Sequence, residues 1–189
     1  MRLKRCFLIV LMCALSHQAV YAADNKILQK MFDDDQAARN ADDINWKALN
    51  VQDAQRRARL TELLQAGDLK TGRDYYNAAF IEQHGHKPED YLRAHCLAVT
   101  ALMLGYKPAR WISAATLDRY LVFTGHAQIY GTQSSGKVPK DPTAEMEMSQ
   151  EPYDRSVLTD DMRRMSGVPG IPEQERNMKA GIYHQSLDD

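Results

Sequence analysis

Asp118 and Arg119 stand side by side in a stretch that is otherwise rich in Ala, Ile, Leu and Trp. Adjacent helical residues point about 100° apart, so these two charged side chains are not both far from the packed face. A charge near the core must be paired or hydrogen-bonded. Arginine is also suited to a bidentate grip on a carboxylate or phosphate. The pair is therefore either a structural ion pair or part of a ligand pocket.

A group of uncharged polar residues follows this stretch: Gln128, Tyr130, Thr132 and Gln133, with Gly131 among them. Their side chains donate and accept hydrogen bonds and orient a substrate without adding charge. Glycine allows the backbone to approach a ligand closely. These residues either satisfy a tight turn or bind a ligand beside the charged pair.

His84 and His95 are the histidines that could act with Asp118. A carboxylate beside an imidazole fixes the tautomer and raises the basicity of the ring, as general acid–base catalysis requires. The sequence has no His-Glu-x-x-His or Cys-x-x-Cys spacing of the kind that zinc sites use. We therefore predict neither a metal site nor a cofactor.

Asp35 and Arg39 are spaced i, i+4 on one predicted helix. A pair of this kind ordinarily stabilises a helix by about 0.3–0.5 kcal/mol. Local helix support is therefore the first interpretation of these two residues.

The charged pair and the polar group together resemble the signature of an uncharacterised bacterial domain family, Asp118-Arg119 followed by Gly125-x-x-Gln128-x-Tyr130-Gly131-Thr132-Gln133. Other parts of the chain resemble the same family: Asp35-Gln36-x-x-Arg39, Gln83-His84-Gly85, Ala94-His95 and Asp161-x-x-Arg164-x-x-Gly167-Val168-Pro169. This family has no assigned activity. The resemblance implies site residues, and it is the reason to add Asp35, Gln36 and Arg39 to the pocket. The segment 85–88 departs from the Gly-Trp-Pro turn expected of the family.

The elements that must position these residues are mainly helical. Apolar spacing and Gly or Pro boundaries predict helices over 25–40, 51–66, 74–83, 88–104, 108–124, 158–165 and 172–180. Alanines at helical spacings in the middle of the chain favour close helix packing. We expect a compact bundle of five to seven helices in antiparallel pairs, in an arrangement similar to tetratricopeptide repeats. A short β-like segment is predicted near 126–133 and a loop-rich stretch near 134–157.

The first 22 residues have the three parts of a cleavable signal peptide. Three basic residues precede an apolar run over 7–15, and Val20-Tyr21-Ala22 provides the small residues of a cleavage site. Residues 23–189 then form one domain that is periplasmic or secreted, with no later membrane span.

Cleavage removes three of the 24 basic residues and none of the 25 acidic ones, so the remaining net charge is −4. This charge argues against a nucleic-acid partner. Cys96 alone remains, in an apolar run that predicts a buried thiol.

Three functions remain open at this point. The domain is a binding module of the cell envelope for a small molecule, peptide or envelope protein. Alternatively, it is a small hydrolase-like enzyme using Asp118 with His84 or His95. In the third interpretation the polar residues form a purely structural network. The sequence leaves the oligomeric state open.

Overall fold

A computed structural model describes residues 22–137 and 146–187. Apart from Ala22, the predicted signal peptide lies outside these residues, and so does the middle of the predicted loop-rich stretch. The described part of the chain contains seven helices and one small antiparallel sheet of two strands. This confirms the predicted mainly helical fold.

The elements follow one another in the order α1 (Lys26–Arg39), α2 (Trp46–Gln65), α3 (Gly72–Glu82), α4 (Pro88–Met103), α5 (Ala109–Phe123), β1 (Ser135–Lys137), β2 (Glu147–Ser149), α6 (Asp160–Met165) and α7 (Ile171–Lys179). None of the described helices is long and apolar enough to cross a membrane.

Alanines line the most extensive helix contacts, which α4 makes with α3 and with α5. Their small side chains bring helix axes close together. Leucines of α1 and α2 complete the same apolar core. The buried alanines include all those that the sequence analysis singled out: Ala78, Ala79, Ala94, Ala98, Ala101, Ala114 and Ala115.

Helices α1 and α3 are aligned in the same direction, as two polar contacts near their amino-terminal ends show. The Asn25 backbone N–H donates to Asp74 Oδ1 at 2.7 Å at their first turns. One turn further, Asn77 Nδ2 donates to Gln29 Oε1 at 3.0 Å. This alignment brings the last turn of α1 beside the residues that follow α3.

The predicted β-like segment near 126–133 contributes a single β-bridge and does not form a strand. Only an isolated bridge between Gln128 and Tyr153 forms there. The two strands come later, with Ser135 paired to Ser149. The physical reason is that Gly131 has φ +84°, which interrupts an extended backbone, and that buried side chains bond this segment instead of a neighbouring strand.

Two smaller predictions also need correction. Helix α2 begins at Trp46 rather than near Val51, because the Asn45 side chain caps it by accepting the Ala48 N–H at 3.0 Å. Cys96 is exposed rather than buried, because its neighbours Leu97 and Ala98 occupy the inner face of α4.

Candidate functional site

Asp35 lies in a cluster of four charged side chains between α1 and α2. Arg39 contacts Asp35 Oδ1 at 2.6 Å and Asp53 Oδ2 at 2.7 Å. Arg56 contacts Asp53 Oδ1 at 3.0 Å and Asp35 Oδ1 at 3.4 Å. Two carboxylates and two guanidinium groups therefore balance one another.

The carboxylate of Asp35 stays ionised although it is fully buried. Burial opposes ionisation, but contacts with His84, Arg39 and Arg56 outweigh it and hold the pKa of Asp35 below its usual value. On its other side, Asp35 Oδ2 accepts a hydrogen bond from Gln36 Nε2 at 2.9 Å.

His84 follows α3 and faces Asp35. Its Nε2 atom lies 3.2 Å from Asp35 Oδ2 and is buried without a hydrogen-bond partner among the described residues. Burial lowers the pKa of His84 more than the nearby Asp35 raises it. Arg57 fixes the backbone here by donating to the His84 carbonyl at 2.6 Å.

The turn that carries His84 depends on Gly85. A Cβ atom at this position would lie 2.2 Å from the Asp90 side chain. Asp90 in turn accepts the His86 N–H at 3.0 Å, and Tyr91 Oη donates to the Gly85 carbonyl at 2.9 Å. The segment 85–88, where the sequence departs from the family pattern, therefore forms a tight turn that holds His84 in place.

Arg119 comes from α5 and reaches the backbone of Gln83, the residue before His84. Its Nε donates to Gln133 Oε1 at 3.1 Å and its NH1 donates to the Gln83 carbonyl at 3.3 Å. Both acceptors are neutral, and the guanidinium makes no ion pair with a described residue. It lies 5.8 Å from the centre of the Tyr91 ring. Burial lowers the pKa of Arg119.

These groups surround a cavity of about 200 Å³, which we call the Arg119 groove. Its walls include Arg39, Asp53, Gln83, His84, Tyr91 and Arg119. A second cavity of about 140 Å³ borders the other side of Arg119 and contains Phe123, Gln128, Gln133 and Glu151. Arg119 is thus shared by two cavities.

Asp118 is turned away from this groove and bonds the backbone of the following loop. Its Oδ1 accepts the N–H groups of Ile129 at 2.8 Å and Tyr130 at 3.0 Å. Its Oδ2 accepts the Thr132 N–H at 3.0 Å and the Thr132 hydroxyl at 2.8 Å. The carboxylate is fully buried and all four bonds come from neutral donors.

Gln128 and Gln133 complete the loop. The Gln133 N–H donates to Gln128 Oε1 at 2.9 Å, and Gln128 Nε2 donates to the Gln133 carbonyl at 2.8 Å. Gln133 Nε2 also donates to the Ala115 carbonyl at 3.2 Å. Gln133 therefore joins the loop to Arg119 and to α5 with one side chain.

The sequence analysis missed the residues that hold this loop from the far side. Gln174 Nε2 donates to the Tyr130 carbonyl at 2.9 Å, and Tyr153 Oη donates to the same oxygen at 3.0 Å. Arg163 is fully buried and donates to the Tyr153 hydroxyl at 2.8 Å. Arg164, which belongs to the family pattern, is half exposed instead. The only sequence signal for this region was the resemblance to the family over residues 161–169, and it pointed to Arg164 rather than to the buried neighbour Arg163.

Asp53 and Arg56 were also missed, although their i, i+3 spacing on α2 was a usable signal. The structure brings together the predicted residues Asp35, Arg39, His84 and Arg119, while Gln36 lies at the edge of this set. Gln128, Tyr130, Thr132 and Gln133 belong to the loop bonded to Asp118, and Tyr130 contributes backbone groups there. The two sets meet only where Gln133 bonds Arg119.

No protein-family model, curated protein or solved structure matches this chain. The resemblance to the uncharacterised family therefore stays a prediction. The candidate site rests on the geometry of this chain alone.

Neither predicted histidine hydrogen-bonds Asp118. His95 Nδ1 lies 2.8 Å from the Ser113 carbonyl, which is an ordinary packing contact between α4 and α5. The carboxylate beside His84 is Asp35. Among the described residues, no group of three or more His, Cys, Asp or Glu side chains is arranged to hold a metal ion.

The Arg119 groove combines two chemical features. One is a guanidinium whose positive charge no described carboxylate cancels. The other is a neutral imidazole supported by an ionised aspartate. The first suits an oxyanion, and the second suits the transfer of a proton.

Proposed function

We propose that this domain binds a small molecule through a carboxylate or phosphate group in the Arg119 groove. The observation that carries the proposal is the state of Arg119, which is mostly buried and bonded only to neutral acceptors. Burying an unpaired charge costs several kcal/mol, so such a charge calls for a partner. The other charges of the groove balance one another, so Arg119 sets its net sign.

The free donors of Arg119 support a bidentate contact. A guanidinium has five N–H donors in a planar fork, and two of them are used by Gln133 and Gln83. The NH2 atom of Arg119 makes no hydrogen bond with a described residue. It is not fully buried, so it is accessible to a ligand. One NH1 donor and two NH2 donors are therefore available to an oxyanion.

The two cavities beside Arg119 set the size of the ligand. Volumes of about 200 Å³ and 140 Å³ are smaller than the roughly 300–1,000 Å³ of drug-sized pockets. Phe123 and Val122 border the second cavity and offer an apolar surface. We infer a small acid whose charged group meets Arg119 and whose apolar part faces Phe123.

The amino-terminal sequence extends this proposal to the location of the protein. With cleavage after Ala22, the domain would work in the periplasm or outside the cell as a binding module of the envelope. Mass spectrometry of the protein recovered from an envelope fraction tests this. A mature chain that begins at Ala23 is expected, and an intact Met1 on protein from the cytosol would overturn it.

The binding proposal is tested by thermal unfolding with sulfate at constant ionic strength. A ligand that binds only the folded state raises Tm. Sulfate also raises Tm non-specifically by strengthening apolar burial, so the difference between variants is the result that matters. Arg119→Gln is expected to lose the specific part of the shift, and Arg119→Lys to lose most of it.

Arg59→Gln is the matched control, because Arg59 is half exposed on α2 and pairs with Glu62 away from the groove. It should keep the wild-type shift. Equal shifts in wild type and Arg119→Gln would overturn the proposal. Parallel titrations with benzoate and phenyl phosphate distinguish a preference for carboxylates from one for phosphates.

A second candidate function is acid–base catalysis at the same groove by His84 with Asp35. The supporting observation is that Asp35 faces Nε2 of His84. This favours the tautomer with the proton on Nε2, which leaves the lone pair of Nδ1 free to accept a proton. Nδ1 has no partner among the described residues and is not a fully enclosed atom. His84 would remove a proton from water as the oxygen attacks an ester carbonyl, and would return it to the leaving alcohol.

Hydrolysis of 4-nitrophenyl acetate and 4-nitrophenyl phosphate tests this candidate. General base catalysis contributes about 10²–10⁴-fold, so His84→Gln should lower the rate by at least about 100-fold. Asp35→Asn should lower it less and shift its pH profile. Equal rates in wild type and His84→Gln would exclude this role for these substrates.

We assign Asp118, Gln128 and Thr132 to holding the 128–133 loop rather than to chemistry. For these three residues we thus adopt the third interpretation of the sequence analysis, in which the polar residues form a structural network. It is supported by the four neutral donors that occupy both oxygens of Asp118.

A further inference from the structure

His84 is placed to respond to a ligand at Arg119. Its side chain is 16% exposed. Its Nε2 atom is enclosed beside Asp35, whereas Nδ1 reaches the accessible side of the ring. The imidazole and the Arg119 guanidinium border the same cavity of about 200 Å³. An oxyanion seated on Arg119 would therefore occupy the cavity that the His84 ring also borders.

Charges face His84 from every element around it. Helix α1 contributes Asp35 and Arg39, and α2 contributes Asp53 together with Arg56 and Arg57. On the other side, α4 contributes the Tyr91 ring, α5 contributes Arg119, and the turn contributes exposed His86. The charges of Arg39 and Arg56 are balanced by the two carboxylates, and Arg57 leaves this side of His84 with one excess positive charge.

Arg119 adds a further positive charge across the groove. Burial of the ring opposes protonation of His84 and lowers its pKa, and Arg39 adds to this effect, whereas Asp35 and Asp53 favour the imidazolium. A bound anion would shift this balance toward the imidazolium, because it brings a negative charge into the cavity and offers a hydrogen-bond acceptor to protonated Nδ1. Asp35 already supports the imidazolium from the other side.

We propose that binding of an oxyanion in the Arg119 groove is coupled to the uptake of one proton by His84. The inference rests on the proposed function and specifies how that site is regulated. Binding and protonation then reinforce each other by the same factor, as linkage requires. Affinity rises as pH falls through the range in which His84 titrates, and the ligand is released as pH rises.

The test measures sulfate affinity from pH 5 to pH 8 by isothermal titration calorimetry. Sulfate keeps its charge over this range, so any pH dependence belongs to the protein. Wild type is expected to bind more tightly at low pH, by up to about tenfold per pH unit for one coupled proton. Titrations in buffers of different ionisation enthalpy should report uptake of about one proton per sulfate near neutral pH.

His84→Gln keeps a polar side chain of similar size but does not titrate, so its sulfate affinity should be nearly independent of pH. His86→Gln is the matched control, because His86 borders the same groove and is exposed; it should keep the wild-type pH dependence. Folding of each variant is checked by its thermal transition at pH 7.5, where His84 is expected to be neutral.

The outcomes separate the two proposals. Sulfate binding that does not vary with pH, or that varies equally in His84→Gln, would overturn the proton coupling and leave the binding site standing. Loss of the pH dependence in His86→Gln, together with its retention in His84→Gln, would likewise exclude His84 as the coupled group. Absence of specific binding by wild type at every pH would overturn the proposed function itself, and with it this inference.

Discussion

Asp35 and Asp118 are both fully buried aspartates on helices, yet their surroundings differ. Asp118 accepts four hydrogen bonds from backbone and hydroxyl donors, which use both of its oxygens within one loop. Asp35 is met by two guanidinium groups, a glutamine amide and an imidazole from three different parts of the chain. The first arrangement is closed, while the second leaves a nitrogen of its neighbour His84 accessible.

This difference distinguishes a buried polar group that only holds the fold from one that has capacity to bind a ligand. A buried carboxylate that is satisfied by neutral donors fixes a backbone conformation and has little capacity left for a ligand. The Arg119 groove, in contrast, has a guanidinium without an ion-pair partner among the described residues, and some of its N–H donors are free to bind a ligand. We therefore place the proposed binding function at the groove, while the loop holds Gln133 against Arg119.

The largest expected change in the free energy of unfolding comes from replacing Asp118, whose oxygens are both occupied by the loop. Asp118→Ala leaves three backbone N–H groups of the loop without their acceptor and should lower the free energy of unfolding by about 3–5 kcal/mol. Urea denaturation at pH 7 measures the change. Asp33→Ala, at an exposed position on α1, is the control and should stay within about 0.5 kcal/mol. A loss below about 1 kcal/mol for Asp118→Ala would mean that the loop is held by its other contacts.

A somewhat smaller loss is expected on the charged side. Arg39→Ala leaves Asp35 and Asp53 with Arg56 as their remaining arginine, and should cost about 2–3 kcal/mol because one partner of a buried pair is removed. The double variant with Asp53→Ala should be less destabilised than the sum of the two single variants. Additive effects in this cycle, measured by urea denaturation, would show that the pair is not coupled.

Acid should weaken the charged side in two stages. His84 holds its proton less tightly when folded, so its contribution to stability is present above its usual pKa of about 6.5 and is lost as pH falls through the lowered folded value. The lowered pKa of Asp35 adds a second loss below its usual range. Tm measured from pH 8 to pH 3 should decline accordingly, and His84→Gln should remove the first stage. A first stage of equal size in that variant would assign it to another group.

The smallest effect is expected from an exposed ion pair on the same helix as Asp35. Lys30 contacts Asp34 at 2.8 Å with the i, i+4 spacing, and the Lys30 side chain is 75% exposed. Lys30→Ala should cost only about 0.3–0.5 kcal/mol because solvent screens the pair. Urea denaturation alongside Arg39→Ala compares two pairs of identical spacing. Equal losses would show that burial does not distinguish them.

Local sequence signals were sufficient for most of the helices. Glycine and proline boundaries, cap residues such as Thr159 and the spacing of alanines predicted the helices and their buried faces. The resemblance to the family also drew attention to Asp35 and Arg39, whose spacing alone indicated only helix support. In contrast, Gln174 carried no local signal for its role in the loop, because the Tyr130 carbonyl that it bonds lies 44 residues away in the chain.

The sequence by itself determined a helical domain and marked Asp118 and Arg119 as neighbouring charges. Only the tertiary structure decided that Asp118 is enclosed by a loop, that Arg119 faces a groove, and that the carboxylate beside His84 is Asp35, 49 residues earlier in the chain. The physical reason is that helix formation depends on contacts three or four residues apart, which the sequence displays directly. The partner of a buried charge is set by how the helices pack against one another.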